Sequence, residues 1–458
     1  MDKHVVIIGA GPGGYVAAIR AAKNGIKTTL VESGPLGGTC LNAGCIPTKA
    51  LAASATLLRK IRDGASLGVK AEGISVDFPA VNAHKDSVKE RLGKGIEALL
   101  KKNGVNLILG RAEFKSSNAV KVTGGAGISE IEFSHAIIAT GSSAAKPKFI
   151  PFDGERVLTA EEMLSLREIP KRLLIIGGGV IGCEFASIYS AFGSAVHVVE
   201  MLPRILSTLD EDLAKELARA FKKSKIAVSA NAKVEKIERR GDIVYSTLPA
   251  GKTVEADIAL VAIGRSPNSA SLGLENAGVK TDSRGYITVD DSCRTNVPNI
   301  YAIGDVTGKW FLAHAASAQG LYAADHIAGQ DRRVNWNAIP ACVFTNPELA
   351  SVGLSEADAR AKGHDVKCGM FQMRMLGKAQ AIDEISGFVK IVGNSKTGML
   401  LGMHVAGADA STIIHEGAIA LSLGAKVSDI AHAIHAHPTL SEAAMEAAED
   451  FLGGAIHG

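Results

Sequence analysis

The sequence predicts an α/β protein: two domains built on parallel sheets of one design, then an α+β domain through which chains associate. Three observations predict it. A run of buried strand, glycine turn, helix, strand and acid opens the chain at Val5 and recurs at Leu173. At 458 residues the chain is too long for one ordinary core. Beyond Ile339 the character changes to strands such as residues 387–392 and 401–405, followed by an apolar, small-residue helix over 412–423 suited to packing against another surface.

Composition narrows the function classes. Charge is near balance, 50 Lys and Arg against 47 Asp and Glu for a net of +3, so nothing points to nucleic acid or a charged membrane surface. No apolar run reaches the length of a membrane span. Met1-Asp2-Lys3-His4 leads directly into a strand with no signal peptide, which predicts a cytoplasmic protein. In that reducing compartment a bonded cysteine pair is more often catalytic than structural.

Val5-Val6-Ile7-Ile8 is the β-branched run that a buried parallel strand requires. Gly9-Ala10-Gly11-Pro12-Gly13-Gly14 follows, then a helix over residues 15–24, a strand over 28–31 and Glu32. In a Rossmann-like unit, Gly9 permits the tight turn and Gly11 lets a pyrophosphate approach the backbone. Gly14 allows close packing, and Glu32 accepts a hydrogen bond from a ribose hydroxyl. A glycine pattern alone is only a turn; strand, helix and acid together read as nucleotide binding.

Cys40 and Cys45 come next, in Gly37-Gly38-Thr39-Cys40-Leu41-Asn42-Ala43-Gly44-Cys45-Ile46-Pro47-Thr48-Lys49. Such a pair can be a redox disulfide, half of a metal site, or two unrelated thiols. Metal binding reads poorly, because Cys183, Cys293, Cys342 and Cys368 are scattered singly and no histidine lies nearby in sequence. In a regular helix these Cα atoms would stand about 8 to 9 Å apart, beyond the roughly 7 Å limit for a disulfide. A bonded pair therefore requires a distorted helical turn, for which Gly44 supplies the freedom. Lys49 lies one turn beyond Cys45, either facing the same ligand or simply solvated.

Residues 50–104 read as a long pair of helices, with Ser75-Val76-Asp77-Phe78 too short to assign, and residues 106–133 as short strands with a glycine-rich turn at Gly124-Gly125-Ala126-Gly127. A strand over 136–140 closes at Gly141, and the linker with Pro147, Pro151 and Gly154 marks the end of a first domain, 1–147. Domain 148–268 repeats the opening: a strand over 173–176, Gly177, Gly179 and Gly182, a helix through Phe192, a strand over 195–199, and Glu200. An acid there repels a 2′-phosphate and favours a plain adenosine ribose; Arg204 is the one base before Lys215. Residues 256–264 read as one strand closed by Gly264. A central region, 269–338, carries a strand whose carboxyl edge bears Asp305, either a ligand contact or a helix cap. The helix after it, over 312–320, offers backbone N–H groups and a positive dipole at its amino end, near Ala313 and His314. Residues 339–458 form the association domain, in which Cys342 is expected to be a buried packing residue.

Near the end stands His435-Ala436-His437-Pro438-Thr439-Leu440-Ser441-Glu442. Pro438 keeps His437 extended, and Glu442, on a helix expected to start near Thr439, can return to a ring nitrogen. A carboxylate on one imidazole nitrogen builds a general base for a thiol, though His and Glu this close are also common as a surface pair.

Over nearly the whole chain these pieces resemble the pyridine nucleotide-disulfide oxidoreductases with two dinucleotide-binding domains, most specifically in the segments 37–49 and 437–442. The resemblance implies FAD on Gly9, Gly11, Gly14, Glu32, Gly141 and Asp305, with Ala313 and His314 facing the flavin and Lys49 beside its ring. It implies NAD on Gly177, Gly179, Gly182, Glu200 and Gly264. It further implies that Cys45 lies against the flavin, that Cys40 exchanges with substrate, and that Lys49 pairs with Glu184. The assembly implied is a homodimer in which His437 and Glu442 of one subunit complete the disulfide site of the other. The activity implied is oxidation of dihydrolipoyl groups carried by a lipoyl-bearing acyltransferase or an H-protein type partner.

The chain departs from the family at Ala315 and Gln319, where a lysine and a glutamate are common. Reductases of glutathione-type disulfides are the nearest alternative, but they need basic residues where Glu200 stands. A mercuric reductase would add a vicinal cysteine pair, which residues 451–458 lack, and a soluble transhydrogenase would lack one of the redox cysteines. A binding subunit docked on a multienzyme core is a different class of reading, against which the intact set Cys40, Cys45, His437 and Glu442 argues.

Overall fold

The expected opening strand forms as His4–Ile8 at the centre of a five-stranded parallel sheet, in the order 300–302, 135–138, 4–8, 27–32, 106–109. The structure is a computed structural model that describes residues 3–125 and 127–457; Ala126, in the expected glycine turn, lies outside them. Val5 and Ile7 face one apolar cluster and Val6 and Ile8 the other, all at most 4% exposed, which is why the run shows no polar alternation. Each such side chain contributes about 1.5 to 3 kcal/mol by burial.

The chain divides into two compact units. The first gathers residues 1–50, 79–146 and 264–333. Besides the parallel sheet it holds a three-stranded antiparallel sheet of Arg111–Ser116, Ala119–Gly124 and Gly127–Glu132, and the pair Ser142–Ala144 with Arg265–Pro267. The expected helices are Pro12–Lys23, Cys45–Asp63 and Phe78–Lys102, so Phe78 begins a helix and is no part of a strand.

The second unit gathers residues 51–78, 147–263 and 334–458. Its parallel sheet runs 227–229, 195–199, 172–176, 258–261, 157–158, with the helix Val180–Phe192 after the central strand. The single strand expected over 256–264 is two. Thr253–Ala256 joins an antiparallel meander and Ile258–Val261 joins the parallel sheet. The chain turns between them at Asp257, whose carboxylate accepts from the Arg172 backbone N–H at 2.9 Å and from its guanidinium at 2.8 Å.

A five-stranded antiparallel sheet, 341–343, 349–353, 400–406, 388–394, 366–372, completes the second unit with the helices Ala410–Leu423 and Glu442–Leu452. Cys342 packs against the core as expected but is half-buried rather than buried, because the Ala341–Val343 strand has a neighbour on one side only.

Among the described residues no helix is long and apolar enough to cross a membrane.

Candidate active site

The first fingerprint folds as expected. Gly11 is the residue before the Pro12–Lys23 helix and carries no side chain to cap it, so the helix's first N–H groups point outward, available to an anion. Gly14 is required by close approach: a Cβ there would lie 1.8 Å from the Gly9 carbonyl oxygen. Glu32 accepts from the Ala10 N–H at 2.6 Å and the Gly34 N–H at 2.7 Å, and each oxygen keeps a second lone pair for a ribose hydroxyl.

Cys40 sits in the short helix Gly38–Ala43, and Cys45 is the first residue of the helix Cys45–Asp63. The helix breaks between them at Gly44, with φ −152° and ψ −113°, where the expected distortion falls. Both residues are half-buried thiols, hydrogen-bonded to each other. That bond, then burial and the charge of a Cys45 thiolate, push the Cys40 thiol well above its ordinary range, and Lys49 opposes them. Two sulfurs so close release one proton far more easily than two. The arrangement can therefore hold a single thiolate, or exchange electrons as a dithiol–disulfide couple.

Asp305 lies just past the strand Ile300–Ala302, in the turn Gly304–Thr307. It accepts from Ser142 Oγ at 2.5 Å, and Arg265 donates to the same Ser142 Oγ at 2.6 Å and to the Ser142 carbonyl at 2.6 Å. Burial raises the Asp305 carboxyl, with Ser142 and Arg265 opposing. Ser142 and Arg265 went unpredicted, although each directly follows a predicted glycine, Gly141 and Gly264. The helix Ala313–Ala328 starts at Ala313 and His314 with no side-chain cap hydrogen bond. Gln319 is 2% exposed and accepts from the Gly304 N–H at 2.7 Å, tying this helix to the Asp305 turn. Ala315 is 1% exposed.

In the second unit Gly177, Gly179 and Gly182 repeat the loop, and a Cβ on Gly182 would stand 2.0 Å from the Gly177 carbonyl oxygen. Space beyond Gly179 is open for 4 Å. Glu200 accepts from the Gly178 N–H at 2.6 Å and the Leu202 N–H at 2.8 Å, so its carboxylate stands where the sequence placed it. Arg204 donates to the carbonyls of Leu206, Ser207 and Leu209, which turns it to a structural task. Glu184, 4% exposed on the Val180–Phe192 helix, accepts from the Phe344 N–H at 2.9 Å.

His437 Nδ1 stands 2.9 Å from Glu442 Oε1, and Glu442 Oε2 accepts from the Thr439 N–H at 2.8 Å. The peptide bond before Pro438 is cis. The helix carrying Glu442 starts at Glu442 itself, not near Thr439, because Thr439 spends its N–H on Glu442 and its hydroxyl on the Ala436 carbonyl. Burial raises the Glu442 carboxyl, but Thr439 and His437 outweigh it and hold it below the usual carboxylate range. The His437 ring is 76% exposed, open to a reactant or a second surface.

A family model described as pyridine nucleotide-disulphide oxidoreductase matches residues 3–320, and that family's dimerisation domain matches residues 339–448. The chain belongs to this family, which uses FAD and NAD, and the dimerisation domain makes the protein a homodimer. It is 44% identical over 460 residues to a dihydrolipoyl dehydrogenase of Geobacillus stearothermophilus, covering all of this chain and 98% of the relative. It is 42% identical over 461 residues to that of Bacillus subtilis, at the same coverage. Of solved structures, LpdA from Mycobacterium tuberculosis superposes with a TM-score of 0.92 at 32% identity, covering 98% of this chain and 99% of the other. The flavoprotein disulfide reductase RclA from Escherichia coli superposes at 0.87 and 30% identity, covering 99% of both.

Proposed function

We propose that the chain is a dihydrolipoyl dehydrogenase, oxidising protein-bound dihydrolipoyl groups to lipoyl and passing the electrons through the Cys40–Cys45 couple and FAD to NAD. The observation that carries this reading is the thiol pair at the broken helix directly after a nucleotide fingerprint, in a chain whose second fingerprint ends in a carboxylate. The FAD residues are Gly9, Gly11, Gly14, Glu32, Gly141, Asp305, Ala313 and His314. The NAD residues are Gly177, Gly179, Gly182, Glu200 and Gly264. Lys49 pairs with Glu184 beside the flavin. The domains run 1–147, 148–268, 269–338 and 339–458, and the enzyme is cytoplasmic, supplied with substrate by a lipoyl-bearing acyltransferase or an H-protein type partner.

The oxidised couple is the Cys40–Cys45 disulfide. His437, with Glu442 holding Nδ1–H, accepts the proton of a substrate thiol at Nε2. The thiolate attacks Cys40 Sγ, forming a mixed disulfide and releasing Cys45 as a thiolate. The second substrate thiol passes its proton to the departing Cys40 sulfur as it displaces it, which closes the lipoyl disulfide and leaves the enzyme with one thiol and one thiolate. Lys49 offsets the negative charge that forms on this pair. FAD, held by Gly9, Gly11, Gly14, Glu32 and Asp305, would supply a two-electron acceptor for the reduced cysteines and a hydride donor toward NAD held by Gly177, Gly179, Gly182 and Glu200.

The test is a paired assay on one sample: dihydrolipoamide with NAD, and glutathione disulfide with NADPH. Turnover only in the first is expected. Turnover only in the second would overturn both the substrate and the role given to Glu200.

The two fingerprints should also separate by mutation. In Gly14→Ala the added carbon meets a backbone carbonyl, and the purified protein should lack visible flavin absorbance. Gly182→Ala should keep its flavin yet raise the KM for NAD by about tenfold or more, the effect of about 1.4 kcal/mol of strain. Loss of flavin in Gly182→Ala would contradict the assignment.

A further inference from the structure

Two residues before His437, His435 is held in a different way. Its side chain is 9% exposed, Nε2 lies 3.0 Å from Glu416 Oε2 on the Ala410–Leu423 helix, and Nδ1 lies 2.9 Å from the Ala433 carbonyl oxygen. Both partners can only accept. A neutral imidazole has one N–H and would turn a lone pair toward one of these oxygens, whereas an imidazolium donates to both. Burial works against that charge. Glu416, the Ala433 carbonyl and the Glu442 carboxylate on the last helix overcome it, and His435 stays protonated above the ordinary imidazole range. Glu442 in turn answers to two rings: His437 by hydrogen bond, and His435 through the electric field alone.

We infer that His435, fixed as an imidazolium by Glu416, is a positioning residue for the His437–Glu442 pair. It ties the segment 433–437 to the Ala410–Leu423 helix and adds a second positive charge that acts on Glu442. The carboxylate thus answers two cations and stays ionised, able to hold the His437 Nδ1–H. The ring that must accept a thiol proton is kept ready to do so. This role rests on the function proposed above; the ionisation of His435 does not.

The experiment uses the full-length, FAD-loaded homodimer and its His435→Gln and Glu416→Gln variants. Slow deuterium exchange at the imidazole C2 position, followed by mass spectrometry, reads each histidine without substrate. In the parent the His435 midpoint should lie above the roughly 6.5 of an unperturbed imidazole, and Glu416→Gln should lower it. The acid limb of kcat/KM for dihydrolipoamide should then move to higher pH in either variant. Activity should fall about twofold to fivefold on that limb and remain near the parent's on the alkaline plateau, with the double variant no worse than either single one. A His435 midpoint at or below that of an exposed imidazole would overturn the imidazolium whatever the activity. A uniform loss at every pH, with the limb unmoved, would reduce the pair to a structural contact. Absence of dihydrolipoamide turnover in the parent would overturn the proposed substrate, while the exchange midpoints would still decide the charge on His435.

Discussion

Replacing His437 with glutamine is expected to lower kcat for dihydrolipoamide oxidation by roughly 10² to 10⁴-fold, the usual range for loss of a general base. NADH-dependent reduction of an electron-accepting dye, which needs no thiol deprotonation, should persist. The size of the effect follows from how the ring is held. Glu442 takes the Nδ1–H at 2.9 Å and is itself fixed by the Thr439 N–H at 2.8 Å, so the free lone pair is on Nε2, the nitrogen turned away from the carboxylate. Glutamine can keep the bond to Glu442 but offers no basic nitrogen.

Glu442→Gln should lose less than His437→Gln, since the base remains but its tautomer and orientation are no longer enforced. Adding it to His437→Gln should cost little more, because the two act as a unit. Fully additive losses in a double-mutant cycle would contradict that coupling. The Glu442 carboxyl is held below the usual range, so its contribution to stability is present above the unfolded value near 4.5 and is lost as pH falls through the lower folded value.

Much of this site is legible from local patterns in the sequence. The runs Val5–Ile8 and Leu173–Ile176 are buried on both faces of parallel sheets and so carry no alternation to confuse them, and each is followed by a loop whose first and last fingerprint glycines, Gly9 and Gly14 or Gly177 and Gly182, meet backbone too closely for a Cβ. The helix break at Gly44 is the distortion that a bond between two cysteines five apart would require, a purely local argument. What escapes depends on partners distant in sequence. Residues 256–264 read as one strand because nothing within them reveals that Asp257 answers to Arg172. Ser142 and Arg265 come together only because the chain returns to its first sheet after the second domain, and Gln319 gains its task only from the Gly304 turn. His435 and Glu416, 19 positions apart, likewise meet between a loop and the Ala410–Leu423 helix that no local period links.

Lys390 likewise answers to partners distant in sequence, and its replacement by methionine should destabilise the protein by about 3 to 5 kcal/mol, the range for breaking a buried ion pair from one side. The ammonium is 3% exposed and lies 3.2 Å from Asp210, 2.7 Å from Asp212 and 3.0 Å from Glu356. Asp210 is 2% exposed, caps the helix Glu211–Lys223, and donates nothing that could answer a neighbouring carboxylate. His404, buried beside it, is driven toward the neutral form by its own desolvation, so it cannot replace the missing cation. Methionine fills the volume and leaves Asp210, Asp212 and Glu356 facing one another, with the more exposed Arg360 beside Glu356 and Lys215 at 3.9 Å from Asp212 as partial compensation. Glu356 is held down to about 2 by Arg360 first and Lys390 second, so it gains a proton more readily once the lysine is gone. The penalty should therefore shrink in acid: the gap in Tm between Lys390→Met and the parent should be widest near pH 8 and narrow toward pH 5, as the unpaired carboxylates take up protons. Adding Asp210→Asn and Asp212→Asn to the methionine variant should recover much of the loss, because the damage lies in the uncompensated charge more than in a missing attraction. If Lys390→Met alone melts with the parent at every pH, the cluster is not desolvated and this account of it fails.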